Sequence, residues 1–454
     1  MISVRKKLCV MMASVFLLIT TACTNTSEEL IGEQFPKEIS YVDLKLGEDY
    51  TDLKTKIRFV TNRVDLIDSV DNGKNFQSYV KEFNQMYPDI EIIYEGIANY
   101  DEDMRVRLPS PGWGDVCCIP SNIAGEEFSR YFEPLADYQD LKDNYEFIDK
   151  SVYQNKIYGI PSGGNVQGIV YNKKVWADAG ITGLPKTPEE FLHDLALIKQ
   201  NTDAVPLYTN YASRWALTTW DFYISACATG DKMYRNQKMP FLAEPFAEQP
   251  NHTGAYEVYH ILYQAVKDDL TEENPDKTNW EASKYMLHDG EISAMVLGSW
   301  AVPQMQDAGN SPENIGYMPF PISVDGKQYA SAFGDYCYGI NSKITKDKKI
   351  ASMLYIKYLT EQSGYAYDQG CIPVVKDESY PDVLSDFEGA EILEDAPPLE
   401  GEENAFSEIN QKSGLFLESD PEHIAEIVQS AKEGSKDFDT IMNEWNQAWS
   451  NAQK

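Results

Sequence analysis

Unbroken apolar runs alternate along the chain with stretches in which apolar residues recur every third or fourth position. Short unbroken runs suit strands buried on both faces, and the three-four spacing suits helices with one covered face. "KIRFVT" (56–61) reads as a strand, and "NFQSYVKEFNQMYP" (75–88) as a helix with Phe76, Tyr79, Val80 and Phe83 on one side. "DIEIIYEG" (89–96) is a strand again. That order predicts a parallel sheet covered by helices. "GDVCCIP" (114–120) is a further short buried strand, and "AVPLYT" (204–209) another. The clearest helix start is "PKTPEEFLHDLALIK", with Thr187 as N-cap, Pro188 in the first turn, Glu190 closing a capping box, and Phe191, Leu195 and Ile198 on the covered face. "WEASKYMLHDG" is a helix stopping at Gly290 and feeding "ISAMVLGSW" (292–300). This last run reads as a buried strand that ends on a flexible glycine, a serine and the largest side chain available, Trp300.

The N-terminus breaks the pattern. "MISVRKK" is a positive segment, "LCVMMASVFLLI" an apolar one, and "TTAC" follows, the plan of an export signal. The apolar part is too short to span a bilayer, which takes about 20 residues. The small residues before Cys23 resemble a lipobox, which implies cleavage after Ala22 and a diacylglycerol on Cys23; Thr20 stands where that pattern most often has leucine. An ordinary signal with an incidental cysteine is the alternative. Residues 1–22 are thus assigned to the signal and 23–49 to a flexible tether, placing the protein on the extracytoplasmic face of the cell membrane.

Charge and chemistry narrow the function. The 454 residues carry 39 Lys+Arg against 72 Asp+Glu, a net charge of −33, so a nucleic acid partner would be repelled. Beyond Cys9 and Cys23, the cysteines are Cys117, Cys118, Cys227, Cys337 and Cys371, an odd set at irregular spacing that suits core packing better than a disulfide framework. The five histidines show no metal-ligand spacing, and the chain has no P-loop, GxGxxG or nucleophile elbow, so neither cofactor nor catalytic role is assigned.

"KIYGIPSGGNVQGIVYNKKVWADAGITGLPKTPEEFLHDLALIKQ" (156–200), "DGEISAMVLGSWA" and "QGCIPVV" (369–375) resemble, in order, blocks of the extracellular solute-binding proteins of the maltose-binding type. The resemblance implies two α/β lobes of the periplasmic-binding kind with a ligand cleft between them. One lobe would take 50–164 and 338–374, the other 166–335 and 375–454, with hinge strands crossing near "PSGGN", "AFGDYCYG" and Pro373. It also implies a monomeric lipoprotein receptor that passes carbohydrate to the permease subunits of an ABC importer.

The same resemblance carries a sugar-stacking role onto Trp300, with core packing as the alternative. A pyranose presents a face of C–H bonds that an aromatic ring covers well. Ligands bind beyond the carboxyl ends of strands, which selects Asn62 and Arg63 after the first strand and Ser121 and Asn122 after "CCIP". Asn165 matches a ligand-contacting position at the first crossover, where the maltose-binding type has a carboxylate. Trp220 falls near an aromatic subsite, with Trp215 and Arg214 on the approach, and Asp335 and Tyr336 flank the second crossover. Two other functions compete: the same fold binding a polyamine or peptide, and a secreted polysaccharide-degrading lipoprotein.

Overall fold

In a computed structural model of the protein, residues 40–67 and 74–454 are described; the signal segment and Cys23 lie outside them. The fold is a two-lobed α/β arrangement built on two main sheets. The first has the spatial order Ile90–Gly96, Thr55–Thr61, Val116–Cys118, Cys337–Ile340, Gly159–Pro161. Its first three strands are parallel, in register Phe59 to Tyr94 and Phe59 to Val116, and the other two join antiparallel. The helix Phe76–Phe83 connects the first two, its N-terminus closed by Asn75, whose side chain accepts from the Ser78 N–H at 3.0 Å. Phe76, Tyr79, Val80 and Phe83 are all buried, the face that the spacing predicts.

The second sheet departs from the parallel expectation. Its axis is the strand Gly164–Asn172, buried along its whole length, and Ala294–Gly298, Ile315–Met318 and Lys327–Gly334 all pair with it antiparallel. The reason is the route of the chain: Gly164–Asn172 enters directly from the junction with the first sheet, so strands that end near the junction must run the other way. Glu391–Glu394 adds in parallel to Lys327–Gly334. "AVPLYT" forms only isolated bridges, Val205 to Ile292 and Leu207 to Thr271, because Pro206 has no N–H to continue a ladder. In the helix Pro188–Asn201 the Thr187 hydroxyl accepts from the Glu190 N–H at 3.3 Å, whereas the Glu190 carboxylate takes the N–H of Lys186 at 2.7 Å, one residue before the cap.

The chain passes between the sheets at Ser162–Gly163, returns at Asp335–Tyr336, and passes again beyond Ile372. These segments are bonded to one another: Ser162 N–H to Tyr336 O at 3.0 Å, Asp335 N–H to Gly163 O at 2.9 Å, and Gly164 and Ile372 to each other at 2.7 and 2.8 Å. Gly164 is glycine because of this crowding, since a Cβ there would sit 2.1 Å from the Phe147 ring. One core covers the first sheet and continues through the junction along Val166, Met295, Leu297 and Tyr317. A second lies beyond, around Phe191, Tyr223, Tyr259, Trp445 and Trp449.

Residues 40–49, which the sequence assigns to the tether, are packed instead. Tyr41 is fully buried with its hydroxyl 3.1 Å from that of Thr360, and Leu44 is buried beside it, so residues 40–49 pack on the first lobe. Two apolar anchors one helical turn apart are enough to hold so short a segment.

Candidate functional site

Trp300 reaches the junction because its strand is paired to the crossing strand from Ala294 opposite Tyr171 to Gly298 opposite Gln167. The Ser299 N–H continues the pairing to Val166 O at 2.9 Å, and the Ser299 hydroxyl accepts from the Val166 N–H at 3.2 Å. The indole therefore emerges beside the first crossing. It folds back over Gly298, where a Cβ would lie 2.6 Å from the indole Nε1. The glycine that ends the strand is thus the floor under the tryptophan.

Two further tryptophans complete a cluster. Trp215 stands 5.8 Å from Trp300 between ring centroids, Trp280 stands 5.7 Å from Trp300, and Trp215 and Trp280 meet edge to face at 5.1 Å. Trp215 is 42% exposed, and the other two are half-buried. The Lys284 ammonium lies 5.0 Å over the Trp280 ring.

The first lobe supplies a charged group. Arg63 forks onto Asp65, Nε to Oδ1 at 2.9 Å and Nη2 to Oδ2 at 2.6 Å, and Nη2 also donates to the Gln369 side-chain oxygen at 2.6 Å. Burial opposes charge on this guanidinium, but Tyr365, Asp65 and Asp335 outweigh it and hold its pKa above the ordinary arginine value. Asp65 is pulled below the usual carboxylate range: burial raises it, while Arg63 and, from the second lobe, Lys284 lower it further. Gln369, of the same lobe, carries the pair on toward the second. The next residue, Gly370, packs so closely on Ser299 that a Cβ would sit 2.7 Å from the Ser299 carbonyl oxygen. Arg63, Gln369, Ser299 and Trp300 are therefore contiguous.

A third group sits at the other carboxyl end. Asp101 accepts from the Ser121 N–H at 3.1 Å, the Ser121 hydroxyl at 2.5 Å and the Tyr336 hydroxyl at 3.0 Å. Asp335 accepts from Ser162 Oγ at 3.1 Å, and Asn165 is buried with its side-chain oxygen 3.1 Å from Cys371 Sγ. Asn62 is half-buried at the end of the first strand, and Asn122 is exposed with its carbonyl held by Arg105.

Trp220 is a correction. It is only 2% exposed, its ring against Phe320 in the second core, so it offers no face to a ligand. Arg214 also turns away from the tryptophans, bonding Glu422 at 2.5 Å and lying 4.9 Å over the Tyr211 ring. Sequence reasoning missed Trp280, Asp65, Gln369, Lys284 and Asp101. Two left a trace: Trp280 directly follows the capping Asn279, and Gln369 opens the "QGCIPVV" block.

Two lobes joined by crossing strands, with aromatic faces on one and a clamped charge pair on the other, define a two-lobed solute-binding protein. The chain belongs to the bacterial extracellular solute-binding protein family, whose profile matches residues 67–366. It is similar to a multiple sugar-binding protein of Streptococcus mutans, 26% identical over 62% of this chain and 66%, just under two thirds, of that relative. Among solved structures, a manno-oligosaccharide-specific solute-binding protein of Bifidobacterium animalis subsp. lactis, in complex with mannotriose, is 43% identical with a TM-score of 0.88, covering 92% of this chain and 98% of its own. The binding protein of an ABC transporter from the same organism, in complex with mannobiose, is 45% identical at the same TM-score and the same coverage. The family and these neighbours are binding proteins rather than enzymes.

Proposed function

We propose that this protein is a lipid-anchored extracytoplasmic receptor that binds a short manno-oligosaccharide between its lobes and delivers it to the permease subunits of an ABC importer. The observation that carries the reading is the tryptophan cluster around Trp300 set against the Arg63–Asp65 pair. The rings cover the C–H faces of successive sugars, and the charged and amide groups pair with hydroxyls. The identity of 43–45% to proteins solved with mannotriose and mannobiose supports mannose as the unit. A polyamine site would need unengaged carboxylates between the aromatics, whereas Asp65 is held by Arg63 and Asp101 by Ser121 and Tyr336.

Calorimetry on the mature chain should give saturable binding of mannotriose and mannobiose at one ligand per chain, much weaker binding of maltotriose, and no cleavage of any of them. Equal affinity for maltotriose would remove the mannose assignment, and no sugar binding would remove the carbohydrate reading. The anchor rests on "TTAC" alone; Cys23→Ala should release the protein from membranes, and retention would overturn it.

A further inference from the structure

On the second lobe, the loop before the helix Ala255–Lys267 gathers an unusual set of side chains. Glu248, His252 and Glu257 each bring a ligand atom within 4.8 Å of the other two. The His252 Nδ1 is 3.1 Å from one oxygen of Glu257, and His260, one turn further along the helix, has its Nδ1 3.8 Å from the other. His252 and His260 are two of only five histidines in 454 residues, and they come from different elements to the same carboxylate.

Glu257 is the member that requires an explanation. Its side chain is only 4% exposed, while those of His252 and His260 are 57% and 37% exposed. A buried carboxylate is costly unless its charge is well compensated; His252 and His260 favour its charged form, but an imidazole carries no fixed charge near neutral pH. A divalent cation compensates it fully. We propose that Glu248, His252 and Glu257 bind a first-row divalent transition metal of the zinc type, with water completing its shell, and that the metal pins the loop to the helix.

The donor set selects the metal class. Imidazole nitrogen with carboxylate oxygens suits zinc at bond lengths of about 2.0–2.2 Å, which puts ligand atoms roughly 3.4 Å apart in a tetrahedral shell. The ligand atoms now lie within 4.8 Å of one another, so the side chains must draw in on binding. Calcium and magnesium prefer oxygen shells throughout and should be rejected. The metal takes the Nδ1 lone pair of neutral His252, and any proton there is released on binding.

The test is calorimetric titration of zinc chloride into the chelator-stripped mature chain, with thermal unfolding alongside. One zinc ion should bind per chain with micromolar or tighter affinity and raise the unfolding midpoint. His252→Ala, on an exposed loop position, should weaken that event at least tenfold, Glu257→Gln should do the same, and His193→Asn should leave it unchanged. Absence of saturable zinc binding, unaltered binding in a folded His252→Ala protein, or equal affinity for calcium would each overturn the site.

Discussion

Between Gly298 and Trp300 the backbone gives up one side chain so that another can lie flat. An alanine at 298 would place its Cβ 2.6 Å from the indole Nε1, and the ring would have to swing off its floor. Gly298→Ala should therefore weaken mannotriose binding by roughly tenfold, about 1.4 kcal/mol, with unfolding in the absence of sugar little changed. Trp300→Ala removes the face itself and should cost about 2 kcal/mol or more, roughly 30-fold in affinity by calorimetry. Trp220→Ala should behave in the opposite sense, with about 3–5 kcal/mol lost from stability because a core ring against Phe320 is removed. Normal affinity in a folded Trp300→Ala protein would refute the stacking role. The strand pattern made Trp300 legible, since a strand end has a definite place. Trp215 and Trp220 were not separable by sequence: they share a 3-10 run, Tyr211–Tyr223, in which five positions separate an exposed ring from a buried one.

At the scale of elements, the second lobe is held by polar ties among helices. Asp221, buried in the 3-10 run, accepts from the Tyr259 hydroxyl at 2.7 Å, the Glu418 N–H at 2.6 Å and His423 Nε2 at 2.9 Å. Burial opposes charge on His423, but Asp221 and the Asp420 carbonyl raise its pKa above the ordinary value. A raised histidine contributes stability that is complete below about pH 6.5 and is lost as the pH climbs through its folded value. Asp395, bonded by Ser225 Oγ at 2.5 Å, is pushed up to about 6, chiefly by burial and then by Glu418 and Asp231 against Arg235. Its protonated form is favoured by the fold, so its contribution is full below its ordinary value of 3.8 and fades as the pH passes 6. Both tilt the same way: the unfolding midpoint should fall from pH 5.5 to pH 8. Asp395→Asn should recover about 1 kcal/mol at pH 8 and nothing at pH 4, a difference that thermal scans at the two pH values resolve. The parallel start of the first sheet was plain in the sequence because each strand and helix there follows its neighbour in both chain and space. The antiparallel second sheet was hidden, since its pairing depends on which strand enters from the junction.

Across the whole molecule, the second core joins Ile169 to Trp445 and Trp449, and it draws on the strands 164–172, 294–298 and 315–318 through Ile169, Tyr171, Ala294, Val296 and Met318. Such a lobe has no early half that can close on itself. While the chain is being made, the segment from 164 onward waits for partners that arrive last, and folding that depends on distant pairings is slow. A chain ending before the helix Phe438–Ala452 should leave Phe246 and Tyr259 uncovered and fail to show a cooperative unfolding transition. The export proposed for this protein would be served by that delay, because a translocation channel threads only unfolded polypeptide.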